Sequence, residues 1–222
     1  MNYEYFNNII GLLWPSTVET LYMVVASCVL AYIIGLPVGV LLVVSSEDHI
    51  LPAPWVERVL GTLINILRSA PFIVLMVALI PFTRIVAGTS IGTTAAIVPL
   101  VVASAPFVAR IVESSLKEVS HGVIEAAESM GASTFQIIFK VLLPESKSSL
   151  ILGAAITVIN VIGYTAMAGA VGGGGLGDLA IQYGYNRFRT DIMIVTVAIL
   201  IIFVQLVQTF GTRLAVKLSH KN

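Results

Sequence analysis

Apolar positions occur along this chain in long uninterrupted blocks. Four intervals contain no Asp, Glu, Lys or Arg, and each exceeds the roughly 20 residues that a helix needs to cross a bilayer. They are Thr20–Ser46, Ile85–Ala109, Ser148–Gly177 and Ile192–Thr212. A fifth stretch, Val59–Thr83, is interrupted only by Arg68, whose long side chain can reach the interface. The pattern predicts an all-α integral membrane protein, a single domain over residues 1–222 with five transmembrane helices at about 17–45, 59–83, 86–109, 148–171 and 191–213.

Composition narrows the class of protein further. Hydrophobic residues make up 57% of the chain and charged residues 11%, against about 25% charged residues in soluble domains. A net charge of zero excludes a nucleic-acid binder that works by neutralising phosphates. The single cysteine, Cys28, excludes an intrachain disulfide framework, and we expect it to be a buried packing residue.

The basic residues predict the orientation in the membrane. The chain has 12 Lys and Arg residues, and such residues accumulate on the cytoplasmic side. With the amino terminus outside, nine of the 12 fall in the cytoplasm, whereas the opposite orientation reverses the ratio. We therefore expect an external amino terminus and a cytoplasmic carboxyl terminus. The first residues lack the basic start of a signal peptide, so we expect no cleavage.

One sizeable cytoplasmic loop is predicted, over residues 113–147. Its first part is predicted to form a short helix that stops at Gly131, because glycine readily adopts the left-handed conformation that often ends a helix. Ser133 and Gln136 then form a capping box, so a second helix should start near Thr134 and end at Pro144. This helix–glycine–helix unit could dock on another protein or rest on lipid headgroups, and the physical pattern leaves both readings open.

The same loop carries a resemblance to a known family. Glu125-Ala126-Ala127, Gly131 and, after nine further residues and Val141, Leu143-Pro144 resemble the EAA motif of bacterial ABC importer permeases. Val141 stands where Ile is common, which is a mild departure. In that family the loop contains a coupling helix that sits in a cleft on an ATPase subunit. The resemblance therefore implies a cytoplasmic coupling role for Glu125, Ala126, Ala127, Gly131, Leu143 and Pro144.

Further segments extend the resemblance over nearly the whole chain. Residues 35–42, 68–76, 81–92 and 163–185 are similar to permeases of methionine importers. The resemblance implies a bacterial inner-membrane homodimer that binds two ATP-binding cassette ATPase subunits and an extracytoplasmic methionine-binding protein. It also implies methionine as substrate and no cofactor of the chain's own. Import of another amino acid is the alternative.

Absent motifs agree with a transporter powered by a partner. The chain contains no G-x-x-x-x-G-K-[ST], so ATP must be bound elsewhere. The charge-free intervals contain no Asp or Glu, and His49, His121 and His220 lie outside them in positions expected to be solvated, which argues against ion-coupled transport. An intramembrane enzyme is a further alternative, but Ser27 and Ser104 have no base nearby in the sequence.

A glycine pattern near the end of the fourth span invites a different reading. Gly172, Gly174 and Gly177 fit G-x-G-x-x-G, the fingerprint of dinucleotide-binding folds. That fingerprint requires a βαβ unit, and here it follows a membrane span. The run therefore predicts a flexible, close-packed outer end of the fourth span. We expect the binding protein implied by the resemblance to dock on the outside, near residues 86–92 and 176–190.

Few side chains in the spans offer polar or polarizable groups to a passing substrate. Met167, Tyr164, Asn160 and Ser104 are the candidates for the pathway. Met167 lies in the glycine-rich part of the fourth span, where flexible thioethers from two subunits could meet as a gate. Plain helix packing is the alternative explanation for Met167.

Overall fold

The computed structural model describes residues 3–219 and is helical, with no strand among those residues. The all-α prediction is therefore confirmed, while His220 and Lys221 lie outside the described residues. Two π-helical turns, Ile138–Leu142 and Ala180–Tyr185, join helices within the series. The α-helices are α1 (Tyr3–Val44), α2 (Pro54–Ser69), α3 (Phe72–Ala78), α4 (Ile80–Ala87), α5 (Thr93–Lys117), α6 (His121–Ser129), α7 (Thr134–Ile137), α8 (Leu143–Glu145), α9 (Lys147–Gly169), α10 (Gly175–Leu179) and α11 (Thr190–Ser219).

Among the residues that the structure describes, four helices are long and apolar enough to cross a membrane, namely α1, α5, α9 and α11. They coincide with four of the five predicted spans, with shifted bounds. Helix α4 ends at Ala87 and is capped by Gly88 in the left-handed conformation, with φ of 74°, and α5 begins only at Thr93. It then continues to Lys117. The cytoplasmic loop expected from residue 113 therefore begins only after Lys117.

The remaining predicted span, 59–83, is not one helix. The chain breaks between α2 and α3, and this pair is either a broken span or a re-entrant loop. Pro71 explains the break, because a proline disfavours helical geometry in the residue before it, here Ala70. Pro71 itself is extended, with ψ of 133°, and starts α3 by accepting the N–H groups of Val74 and Leu75. The count of five spans stays a prediction.

Close contacts divide the chain into two units. The glycine-loop unit comprises the chain up to Leu30, Ala70–Ser104 and Val158–Val207. The EAA unit comprises Ala31–Ser69, Ala105–Thr157 and the chain from Gln208 onward.

The EAA unit is built on a tight crossing of α1 and α5. A Cβ at Gly35 would lie 2.6 Å from the carbonyl oxygen of Ala105, so only glycine permits this approach. The segment of the EAA motif packs onto the same core through its small and branched side chains. The buried members of that core are Ala31, Val43, Val44, Ala105, Val108, Val112, Leu116, Ile124, Ala127, Ile137 and Leu142.

The glycine-loop unit has an apolar interior of its own. One cluster gathers Met23, Leu100 and Ala168 around the buried ring of Phe72. That ring stacks on Tyr164 with centroids 4.5 Å apart. A second cluster buries Cys28 beside α9 and α11, which agrees with its predicted packing role.

Candidate functional site

The corner of the EAA segment is built around Gly131. The N–H of Gly131 donates to the carbonyl of Glu128 at 2.8 Å, and the N–H of Ala132 donates to the carbonyl of Ala127 at 3.1 Å. These two bonds form the Schellman ending of α6, which requires a left-handed residue. Gly131 supplies it with φ of 77°, and the space that a Cβ would occupy there is open. The predicted helix stop is confirmed, and the backbone angle is its cause.

The second helix of the segment starts at the predicted capping box. The backbone N–H of Ser133 donates to Oε1 of Gln136 at 2.8 Å, and the N–H of Gln136 donates to Oγ of Ser133 at 3.4 Å. Helix α7 begins at Thr134 as expected. The two caps satisfy backbone groups that a helix start leaves without partners. The corner is therefore held by its own backbone and caps.

The expectation that this helix ends at Pro144 is wrong. A π-helical turn follows α7, and in it the N–H of Leu143 donates to the carbonyl of Ile138. Pro144 then lies in the first turn of α8, where a helix does not need the backbone N–H that proline lacks. The break comes at Ser146, whose buried hydroxyl donates to the carbonyl of Leu142 at 2.7 Å.

The residues of the EAA motif divide between the surface and the interior. Glu125, Ala126 and Pro144 are exposed, and Leu143 is half-buried. Ala127 is only 5% exposed and packs in the core of its own unit. Ala127 therefore does not share the exposed surface of Ala126, because on α6 it follows the buried Ile124 by three residues.

The structure adds an apolar surface at the corner that the sequence reasoning missed. Met130 is 83% exposed and Phe135 is 69% exposed, on either side of Gly131. The ring of Phe139 lies 4.3 Å from that of Phe135 and is also exposed. The available signal was three large apolar residues in a loop predicted to be cytoplasmic. We call Ala126, Met130, Phe135 and Phe139 the corner surface.

A charge network lies at the end of α5, in the EAA unit. Buried Glu113 accepts from Arg110 and, at 2.8 Å, from Lys117. Arg110 also donates to Oδ1 of Asn65 at 2.9 Å and to the carbonyl of Gly61. A cavity of about 320 Å³ is lined by Gly61, Asn65, Arg110 and Glu113. Lys117 is half exposed and pairs with this buried carboxylate.

Two histidines lie side by side in the EAA unit. The rings of His49 and His121 are 6.2 Å apart and meet edge to face. Burial lowers the pKa of His49 below its ordinary 6.5, and His121 lowers it further. Lys117 also lowers this pKa, whereas Glu128 opposes the shift. The expectation of a fully solvated His49 is therefore wrong. Among the described residues, no cluster of His, Cys, Asp and Glu could hold a metal ion.

Three of the four candidate pathway residues share one face of α9. Asn160, Tyr164 and Met167 are four and three residues apart, which places them in one stripe along a helix. Asn160 and Tyr164 are half-buried, whereas Met167 is 49% exposed. Ser104 lies on α5, is buried, and does not contribute to this exposed stripe.

The glycine run forms a close-packed loop rather than a nucleotide cradle. Gly172, Gly174 and Gly175 all have φ between 76° and 82°. The N–H of Gly175 donates to Oε2 of Glu19 at 2.7 Å, and the N–H of Leu176 donates to Oγ1 of Thr20 at 2.8 Å. The loop therefore turns back against α1. No strand precedes it within the described part of the chain, in agreement with the sequence-based rejection of a dinucleotide fold.

Known proteins similar to this chain are membrane subunits of transporters. The chain is 49% identical over 210 residues to the probable D-methionine transport system permease protein MetI of Vibrio cholerae, covering 95% of this chain and 93% of the relative. It is 46% identical over 209 residues to the methionine import system permease protein MetP of Bacillus subtilis, covering 94% of each.

Solved structures agree with the sequence relatives. A chain of the MetNI methionine ABC transporter, in an inward-facing conformation, superposes with a TM-score of 0.92 at 45% identity over 98% of this chain and 99% of that one. A chain of an amino acid ABC transporter superposes with a TM-score of 0.78 at 18% identity, which shows a shared fold. The family model for the binding-protein-dependent transport system inner membrane component matches residues 31–220. The chain belongs to this family of transport-system permeases.

Proposed function

We propose that the chain is the membrane subunit of an ATP-driven importer of methionine. The observation that carries the proposal is the likeness, over nearly the full length of both chains, to a permease whose transporter is named for methionine. Relatives from two bacteria are named for the same substrate. The small and apolar side chains along α9 suit passage of a thioether without a site strong enough to trap it. An importer of another amino acid is the alternative.

The assembly follows from the single EAA segment in the chain. Two ATPase subunits require two such segments, so we expect a homodimer with the pathway on its twofold axis. The permease needs no cofactor of its own, because the ATPase partners bind the ATP. Closure of the ATPase pair would push the two EAA segments together and switch the cavity between inward- and outward-facing states.

The corner surface fits a protein partner better than a lipid surface. Helices that rest on membranes are rich in Lys and Arg, because the cytoplasmic leaflet is negatively charged. Helix α6 contains no Lys or Arg, and its acidic Glu125 and Glu128 are exposed. Its neighbours Met130 and Phe135 offer apolar side chains that a cleft could bury. The ATPase subunit is the partner that we assign to this surface.

The stripe on α9 is the candidate lining of the pathway. Met167 is its most exposed member, so two thioethers could meet across the twofold axis and close the cavity. Met167→Ala should leave this gate leaky and raise ATP hydrolysis that is not coupled to uptake, whereas Met167→Trp should block uptake. Unchanged uptake and coupling in both variants would assign Met167 to helix packing instead.

The binding protein is expected on the external side of the glycine-loop unit. Residues 86–92 and 176–190 contain large apolar side chains that are exposed, including Ile91, Tyr185 and Phe188. Phe188 is the one described residue other than glycine with positive φ, at 55°. These side chains form a surface that a second protein could cover.

Cysteine labelling in intact cells tests the orientation. With Cys28 replaced, a cysteine at exposed Thr89 should react with an impermeant thiol reagent, and one at exposed Ser133 should not. Labelling after permeabilisation provides the control for the second position. Reaction of position 133 in intact cells would reverse the proposed orientation.

Transport by the full complex in vesicles tests the substrate. Vesicles that contain the permease, the ATPase and the binding protein should accumulate methionine, tested as both enantiomers, in preference to arginine or glutamate. Accumulation should stop when the ATPase lacks its nucleotide-binding lysine. Preference for another amino acid would retain the permease and overturn the substrate, and uptake without the ATPase would overturn the ATP-driven mechanism.

A further inference from the structure

Two polar side chains of α1 supply the cap of a helix that lies far away in the sequence. The first N–H groups of a helix have no partner within that helix. At the start of α10 the preceding residue is Gly174, which has no side chain to cap them. Glu19 and Thr20 accept from the N–H groups of Gly175 and Leu176 instead, at 2.7 and 2.8 Å. Without these two acceptors, α10 would start with unpaired donors in an apolar setting.

Steric contacts hold the same junction. A Cβ on Gly174 would lie 2.9 Å from Cγ2 of Thr93 and 3.0 Å from Oε2 of Glu19. A Cβ on Gly175 would lie 2.6 Å from Oγ1 of Thr20. The backbone of the loop therefore lies directly against these side chains, and the position of α1 determines where α10 begins.

The other side of α10 contacts the end of α9 through backbone atoms. A Cβ on Gly177 would overlap the carbonyl oxygen of Ala166, and a Cβ on Gly169 would overlap the backbone nitrogen of Asp178. The N–H of Gly173 also donates to the carbonyl of Ala168 at 3.0 Å. The turn of α9 that makes these contacts contains Met167, whose side chain is exposed.

We infer that Glu19 and Thr20 are positioning residues for Met167, and that they act through the loop and α10. The two side chains fix the start of α10 by hydrogen bonds, and α10 in turn contacts the backbone of the turn that contains Met167. The positioning is a property of the folded chain, and its consequence for transport rests on the proposed gate at Met167.

Conservative and disruptive substitutions separate positioning from general packing. Glu19→Gln retains a side-chain carbonyl that can accept from Gly175, whereas Glu19→Leu removes the acceptor. Thr20→Ser retains a hydroxyl for Leu176, and Thr20→Val removes it at similar size. Ser16→Ala is the matched control, because Ser16 lies one turn earlier on α1 and its hydroxyl donates only within that helix, to the carbonyl of Leu12.

A spin label at position 167 measures the inference directly. In the complete transporter with Cys28 replaced, Met167→Cys carries the label, and Leu206→Cys on exposed α11 carries a control label. Glu19→Leu and Thr20→Val should raise the ratio of mobile to immobile label at position 167 about tenfold, as expected when a buried donor loses its partner. Glu19→Gln, Thr20→Ser and Ser16→Ala should leave that ratio near the parent value.

The outcomes distinguish the inference from the proposed gate. An unchanged label at position 167 in both disruptive variants would overturn the positioning role, as would equal mobilisation at positions 167 and 206. A mobilised label at position 167 with unchanged methionine uptake per ATP would support the positioning role and remove Met167 from the gate. If Glu19→Leu does not insert in the membrane, Thr20→Val provides the same comparison.

Discussion

The EAA corner and the glycine loop both depend on glycines with positive φ, yet for different reasons. Gly131 has open space where a Cβ would lie, so only its backbone angle matters. The glycines of the loop combine such angles with close contacts on α1 and α9. The corner is therefore a local turn with an exposed surface. The loop is a packed joint, that is, a turn in close contact with neighbouring helices of its own unit. Its glycines should therefore tolerate substitution far less well than Gly131 does.

Overlap with backbone atoms should give the largest effect. Gly169→Ala places a Cβ on the backbone of α10, which has no flexible side chain to yield, so we expect a loss of about 3 kcal/mol in stability. Gly163→Ala in the same helix α9 is the control, because its Cβ would meet nothing within 4 Å. Thermal unfolding of the purified permease measures both. Equal stability of the two variants would contradict the packed joint.

The two alanines of the motif should separate folding from docking. Ala127→Leu overfills the core of the EAA unit and should cost about 2 kcal/mol of stability in the isolated permease. Ala126→Leu changes an exposed position and should alter stability by less than about 0.5 kcal/mol, while it weakens copurification with the ATPase. If Ala126→Leu unfolds the permease and Ala127→Leu does not, the structure of the corner is wrong.

The backbone angle alone should give a smaller cost at Gly131. Gly131→Ala introduces left-handed strain without a clash, so we expect a loss of about 1 kcal/mol. Gly131→Asn should cost less, because Asn tolerates this conformation. Thermal unfolding ranks the three proteins. A loss at Gly131→Ala as large as that at Gly169→Ala would erase the distinction between the two regions.

Acid should have the smallest effect, and it should act on the EAA unit. Because the pKa of His49 is lowered in the folded state, the unfolded chain binds more protons as the pH falls below about 6.5. Stability should therefore decline from pH 7 downward, until the pH passes the lowered pKa of His49. Hydrogen exchange measures the loss of stability in each unit separately, and it should increase in α6 of the EAA unit more than in α10 of the glycine-loop unit. An equal acid response in His49→Asn would remove His49 as the cause.

Local chemistry determines the features that the sequence predicts correctly. The Schellman glycine and the capping box at Ser133 each depend on residues within a few positions of one another, so a short window of sequence contains all the information they need. The long apolar helices are also predicted correctly, because the length and composition of each charge-free interval can be seen within one stretch of sequence. Pro71 lies in an apolar block that hydropathy predicts as one helix, because hydropathy does not register a change of direction.

Features that depend on distant residues escape this kind of prediction. The burial of Ala127 depends on which face of α6 meets the core, and that core is built from residues far away in the sequence. The continuation of the chain from α7 into α8, which contains Pro144, depends on a π-helical turn that no local residue marks. The cap that Glu19 and Thr20 supply to α10 joins residues 156 positions apart, so no window along the sequence could contain it.

We propose that the EAA corner, and not the glycine-loop unit, meets the ATPase. Photo-crosslinking in the assembled transporter tests this with one residue exchanged at a time for benzoylphenylalanine. Position 126 and position 185 are both exposed, and they lie in different units. We expect a crosslink from position 126 to the ATPase subunit and none from position 185. A crosslink to the ATPase from position 185, with none from position 126, would contradict it.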